Sequence, residues 1–246
     1  MKTYKIHLIR HAMIEGSEDG KYIGQTDVPA SEQGLAQIRS LMDENEGYPY
    51  AEVVISSPLK RCIQTAKLIY PNKEPVIINE LTEYDFGDFE GCTADELKDL
   101  DTFKNWISGA DPDEPVPFGE SQTQFNKRIC TAFIKIVDGI IQSGVESTAV
   151  FTHGGIIMSL MAAFALPEAP AHEWLTPNGC GYTLRIDPTV WRMGQKIEAF
   201  AECPPIPQQI DAERAMWDTF DFDPDNDDYD ISELIDDYTD YENKDF

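Results

Sequence analysis

Short apolar runs alternate with helical stripes along most of the chain. Tyr4 to Ile9 reads as a strand, and Ser31 as the N-cap of a helix whose apolar face carries Leu35, Ile38 and Leu41. Val53-Val54-Ile55 is a second strand. Ser57-Pro58 has the signature of a helix start, followed by the stripe Leu59, Ile63, Ala66 and Ile69. Val76-Ile77-Ile78 is a third strand. Capping boxes at Thr93–Glu96 and Ser121–Gln124 open further helices, the second one long, with Phe125, Ile129, Ala132, Phe133, Ile136 and Ile140 on one face. Thr148–Thr152 is a fourth strand running into an apolar helix, Ile156 to Phe164. Gly181–Ile186 is a last core strand and Ile197–Ala201 an edge strand. Strands alternating with helices predict a three-layer α/β/α sandwich with a mostly parallel sheet.

Charge changes this picture at one end. The 246 residues carry a net charge of −26. From Asp211 to Phe246, 15 acidic residues stand against Arg214 and Lys244, so this short segment holds half of the net charge. Residues 1–203 are expected to form one catalytic domain. Residues 204–246 are expected to form an acidic extension, partly disordered or docked, with a helix over Ile210–Phe220. A negative field disfavours nucleic acid and anionic membrane surfaces as partners. A small anionic substrate then needs a locally positive site. No apolar run approaches the ~20 residues that span a bilayer. The N-terminus does not read as a signal peptide. The five cysteines form no C-x-x-C pair, which suggests reduced thiols in a cytoplasmic protein.

Two strands end in basic groups, the first in Arg10-His11 and the fourth in His153. In a parallel sheet these ends share one edge, where open α/β folds place their ligands. His153-Gly154-Gly155 also opens a helix, whose N–H groups favour anions. The strand ending at Ile55 leads to Arg61. Arg10, His11, Arg61 and His153 are therefore expected to converge on a phosphate. The acidic loop Glu83 to Gly91 offers a carboxyl for proton transfer.

Five ordered stretches carry a resemblance: Leu8-Ile9-Arg10-His11, Tyr22–Pro29, Ser56–Ala66, Leu81-Thr82-Glu83 with its following glycines, and Thr152-His153-Gly154-Gly155. Gly119-Glu120-Ser121 adds a sixth element. The chain resembles the histidine phosphatase superfamily, also called phosphoglycerate mutase-like, over about Tyr4 to Ile186. The resemblance implies that fold, with His11 as a phosphorylated nucleophile and Glu83 as proton donor. It implies a phosphate pocket of Arg10, Arg61 and His153, and neither metal nor cofactor. Ala12 stands where the family usually has glycine. Ile14 and Ser17 stand where it often has threonine and then asparagine, which makes Ser17 the substitute phosphate ligand.

The leading expectation is a metal-independent phosphomonoesterase acting on a small phosphorylated metabolite. The Tyr22–Pro29 loop is similar to those of bacterial α-ribazole and broad-specificity phosphatases, so α-ribazole 5′-phosphate is one candidate substrate. The alternatives are a 2,3-bisphosphoglycerate-dependent mutase and a catalytically weak phosphate-binding regulator. The mutase ranks lower because Pro112–Gln122 is acidic where a bisphosphorylated substrate needs cations. Glu90 is the rival acid to Glu83. Bland readings attach to His7 (a core histidine), Arg128 (a surface salt-bridge partner), Lys60 (a solvated helix residue), and Trp106 and Trp174 (core packing).

Overall fold

The computed structural model describes residues 2–16, 19–44 and 47–204. The expected acidic extension beyond Pro204, including the helix over Ile210–Phe220, lies outside the described residues, as does Ser17. The strands are β1 (Tyr4–Arg10), β2 (Val53–Ser56), β3 (Val76–Ile77), β4 (Ser147–Thr152), β5 (Ala165–Leu166), β6 (Gly181–Ile186) and β7 (Ile197–Glu202). The helices are α1 (Glu32–Glu44), α2 (Lys60–Ile69), α3 (Ala94–Leu97), α4 (Asp101–Ile107), α5 (Gln122–Ser143), α6 (Gly154–Phe164) and α7 (Pro188–Gly194).

The seven strands form one sheet in the order β3-β2-β4-β1-β6-β7-β5. β3, β2, β4 and β1 run parallel, β6 is antiparallel to both β1 and β7, and β5 pairs parallel with β7. The sheet is thus mixed, with its parallel half holding β1, β2 and β4. β7 is the expected edge strand over 199–202 only, because the two-residue β5 pairs with its start at Ile197 and Glu198. β3 is shorter than expected, and Val76 and Ile77 are both exposed.

Both faces of the central strands are buried, which is why β1 and β4 read as near-continuous apolar runs. Ile6 and Leu8 of β1 and Val150 of β4 pack into a core with α5 and α6. Ile9 with Ala149 and Phe151 packs into a second core under α1 and α2. His7 is also buried, its ring nitrogens 2.9 Å from Thr183 Oγ1 and 2.9 Å from Ser147 Oγ. These hydroxyls satisfy a neutral imidazole, so the residue belongs to the sheet and not to the site.

Local capping follows the sequence in three places. Ser31 Oγ accepts the Gly34 N–H, and the boxes at Thr93 and Ser121 are both complete. α5 ends at Gly144, whose φ of 76° suits a residue without Cβ. The helix start expected at Ser57-Pro58 is corrected. α2 begins at Lys60 and its N-cap Leu59 makes no side-chain bond; Ser57 Oγ, two residues earlier, accepts the Leu59 N–H at 3.4 Å and the His153 Nε2–H at 2.8 Å.

Candidate active site

The parallel register builds the site. Arg10 lies opposite Thr152, so the chain leaves β1 and β4 side by side, and the His11 N–H donates to the Thr152 carbonyl at 3.0 Å. The imidazoles of His11 and His153 consequently meet edge to face, with centroids 5.1 Å apart. Ser57 leaves β2 next to them, its N–H donating to Phe151 O at 2.9 Å. The backbone of His11 is further held by Asn178, whose Nδ2 donates to its carbonyl at 2.9 Å.

Arg61 is fully buried in the first turn of α2. Its Nη1 donates to Thr26 O at 2.9 Å, its Nη2 to Gly24 O at 2.5 Å, and its Nε to His153 Nδ1 at 3.3 Å. A guanidinium has five N–H groups, so two remain for an anion. Because Arg61 can only donate, His153 Nδ1 is an acceptor and Nε2 carries the proton, which it gives to Ser57 Oγ at 2.8 Å. Both ring nitrogens are thus engaged within the protein. Donation from His153 to a bound phosphate requires its Nε2–H to exchange Ser57 for the anion. Arg10 adds the second cation; its Nη1 donates to Thr176 O at 2.7 Å and its side chain lies against Gly154.

In His11 the ring is oriented by a local bond between Nδ1 and the Ala12 carbonyl, at 2.7 Å. Burial, then the charges of Arg61 and Arg10, hold its pKa well below the ordinary 6.5. Burial also holds His153 well below that value, with His11 and the arginines adding to it. Both imidazoles are therefore neutral near pH 7. Ala12 brings no strain, since the positive-φ non-glycine residues among those described are Phe118 and Gln195. Ile14 is buried and bridges to Ala30, a structural place.

Glu83 enters from the loop after β3. Its Oε1 accepts the Tyr84 N–H at 2.9 Å and its Oε2 the Gly155 N–H at 3.1 Å, in the first turn of α6. One of the helix N–H groups expected to serve an anion thus serves the carboxyl. Burial raises the Glu83 pKa above its ordinary 4.5, opposed by those two N–H bonds and by Arg61 and Arg10. A carboxyl so placed can give a proton, and afterwards take one.

The structure brings Arg10, His11, Arg61, Glu83 and His153 together. It takes Glu90 elsewhere: that carboxylate accepts from Gly24 N, Gln25 N at 2.8 Å and Thr26 Oγ1 at 2.7 Å. Glu90 therefore shapes the loop whose carbonyls hold Arg61. Lys60 is also tied to this loop, by Nζ–Asp27 Oδ2 at 3.2 Å. Trp174 is buried against Tyr182, and Trp106 packs among Tyr22, Tyr84 and Phe86. Sequence reasoning missed Ser57, Asn178 and Arg128. Arg128 is not a plain surface salt-bridge partner, because it also binds main-chain carbonyls on the Glu83 segment. The Gly119-Glu120-Ser121 element was the one signal pointing there.

Among the described residues, no group of three or more His, Cys, Asp or Glu stands close enough to hold a metal ion. Among them also, no helix is long and apolar enough to cross a membrane.

The family model of the histidine phosphatase superfamily (branch 1) matches residues 6–196. An adenosylcobalamin/α-ribazole phosphatase of Salmonella typhimurium is 28% identical over 188 residues, covering 74% of this chain and 90% of that protein. A 2,3-bisphosphoglycerate-dependent phosphoglycerate mutase of Rhizobium etli is 29% identical over 164 residues, 62% of this chain and 76% of that protein. The crystal structure of the α-ribazole phosphatase from Shigella flexneri superposes with a TM-score of 0.60 at 25% identity, covering 74% of this chain and 90% of that one.

Proposed function

The chain belongs to the histidine phosphatase superfamily, branch 1, and on that premise we propose a metal-independent phosphomonoesterase that works through a phosphohistidine on His11. The observation that carries this reading is the 5.1 Å pairing of two neutral imidazoles beside two arginines and a buried carboxyl.

The chemistry divides into two displacements. Arg10 and Arg61 bind the phosphate oxygens, joined by His153 once its Nε2–H turns from Ser57. His11 Nε2 attacks phosphorus; the N–P bond forms as the P–O bond to the leaving group breaks. Glu83 supplies the proton that the departing oxygen needs. Water then attacks the phosphohistidine, Glu83 takes its proton, and the N–P bond breaks to release phosphate. The arginines stabilise the charge on the equatorial oxygens in both steps. Ser17 is carried in the proposal as a further phosphate ligand.

The substrate is proposed to be a small phosphorylated metabolite, with α-ribazole 5′-phosphate the first to try, which the phosphatase relatives support. The Rhizobium relative keeps the mutase reading as the alternative, and the acidic Pro112–Gln122 segment argues against it. The scattered cysteines support a cytoplasmic setting, and the negative net charge supports a protein that binds neither nucleic acid nor membranes.

A panel of phosphomonoesters assayed in EDTA, with His11→Ala as control, tests the reading. Hydrolysis by wild type alone is expected. Rapid conversion of 3-phosphoglycerate in the presence of catalytic 2,3-bisphosphoglycerate would make it a mutase. Phosphate binding with equal inactivity of wild type and variant would make it the regulator.

A further inference from the structure

Between α5 and the Glu83 loop lies an ion pair that the chemistry above does not use. Arg128 Nε donates to Glu120 Oε2 at 3.2 Å, and its Nη2 to Glu120 Oε1 at 2.5 Å. Its Nη1 donates to Glu80 O and to Thr82 O, each at 2.7 Å, and its Nη2 also reaches Glu83 O at 3.3 Å. These five bonds use each N–H that a guanidinium has. Three of the acceptors are main-chain carbonyls leading up to, and including, that of Glu83.

Glu120 completes the hold from the other side. Its Oε1 accepts the Asp85 N–H at 3.0 Å, and its carbonyl accepts the Tyr84 hydroxyl at 2.7 Å. The Trp106 indole N–H donates to that same hydroxyl at 3.1 Å. The guanidinium also lies over the Phe125 ring, 5.4 Å from its centroid. The pair is mostly buried, with side-chain exposures of 22% and 14%. Main chain on both sides of Glu83 is therefore fastened to one bidentate ion pair, whose planar fork a lysine cannot reproduce.

We propose that Arg128 and Glu120 are positioning residues for the Glu83 carboxyl, setting how well it delivers its proton. The proposal rests on the reading of Glu83 as proton donor. Glu83 is tethered through its own neighbour's N–H and through Gly155, so a shift of its backbone moves the carboxyl relative to α6. A displacement of about 1 Å is enough to cost about 100-fold in a step that depends on alignment. The loss should fall on reactions whose leaving group needs a proton. Nitrophenolate leaves as a stable anion; phenolate is more basic and gains more from protonation.

Arg128→Lys, Glu120→Gln and Glu83→Gln are compared by kcat/KM on phenyl phosphate and p-nitrophenyl phosphate, with thermal unfolding measured alongside. Glu83→Gln should discriminate against phenyl phosphate. Arg128→Lys should lower kcat/KM about 30-fold on phenyl phosphate and about threefold on p-nitrophenyl phosphate, and Glu120→Gln should show the same direction. Glu120→Gln keeps shape and most hydrogen bonds, so it reports even if Arg128→Lys folds poorly. Equal losses on both substrates in both brace variants, while Glu83→Gln discriminates, would overturn the positioning role alone. If Glu83→Gln itself hits both substrates equally, the proton-donor reading falls and the brace with it.

Discussion

The Nδ1–H of His11 donates to the Ala12 carbonyl at 2.7 Å, and that bond decides which nitrogen can attack. A carbonyl only accepts, so Nδ1 holds the proton and the lone pair lies on Nε2. The Ala12 peptide is itself anchored, its N–H donating to Thr65 Oγ1 at 2.8 Å. Thr65 is buried and passes its own proton to Arg61 O at 2.7 Å. Thr65→Val keeps the shape and removes the anchor. It should lower kcat about tenfold with KM within about twofold, and cost about 1–3 kcal/mol for the buried N–H left unpaired. Steady-state kinetics and urea unfolding check both.

The pH dependence follows from two opposite shifts. His11 must be neutral to attack, and its pKa lies well below 6.5, so the rising limb of kcat/KM falls on the acid side. Glu83 must be protonated to donate, and its pKa lies above 4.5, so the falling limb starts from there. Activity is therefore expected to rise as His11 loses its proton and to fall as Glu83 loses its own, at a pH above the ordinary carboxyl range. Glu83→Gln should remove the falling limb and leave the rising one. A wild-type plateau extending from neutral to alkaline pH would contradict the assignment.

Ser57 holds the Nε2–H of His153 at 2.8 Å in the free protein. Ser57→Ala removes the nearer acceptor and leaves that N–H only the weak Cys62 Sγ at 3.5 Å, a loss of about 1 kcal/mol in stability. If that N–H turns to the phosphate on binding, the anion supplies the missing acceptor. The inhibition constant for inorganic phosphate should then fall in Ser57→Ala. A rise would mean that Ser57 orients His153 in the complex as well.

His7 gives a stability signal separate from catalysis. Burial, then the charge of Lys5, lowers its pKa from 6.5 to about 4. The unfolded chain therefore binds a proton between these values that the folded chain refuses. The neutral form's contribution is complete above pH 6.5 and is lost as pH falls towards 4. Two and a half units correspond to about 3 kcal/mol. His7→Gln should unfold more easily at neutral pH yet lose less stability between about pH 7 and pH 4. Denaturant midpoints at several pH values measure this.

Much of the site could be read from the chain because it sits where elements end. Arg10-His11 and His153 are the last polar words of apolar strands, and parallel pairing puts such ends together whatever lies between. Glu83 is separable from Glu90 by its place in the Leu81-Thr82-Glu83 stretch that carries the resemblance. What could not be read depends on distant contacts. Ser57 followed by proline has the local form of a helix cap, and its hydroxyl does accept the Leu59 N–H at 3.4 Å, but its shorter bond is to His153, 96 residues away. Arg128 has the spacing of a surface charge on α5, and its main-chain acceptors lie 45 to 48 residues earlier. The pairing that covers β7 at Ile197 and Glu198 is hidden for a similar reason. β5 is two residues long and carries too little pattern to be seen.

The central claim is the covalent intermediate on His11. Enzyme mixed with ³²P-labelled phosphomonoester and quenched within milliseconds should carry phosphate that is labile in acid and stable in alkali, the signature of a phosphoramidate. The label should map to His11 and vanish in His11→Ala. A label that persists in His11→Ala, or turnover by wild type with no acid-labile phosphoenzyme at any quench time, would contradict the account.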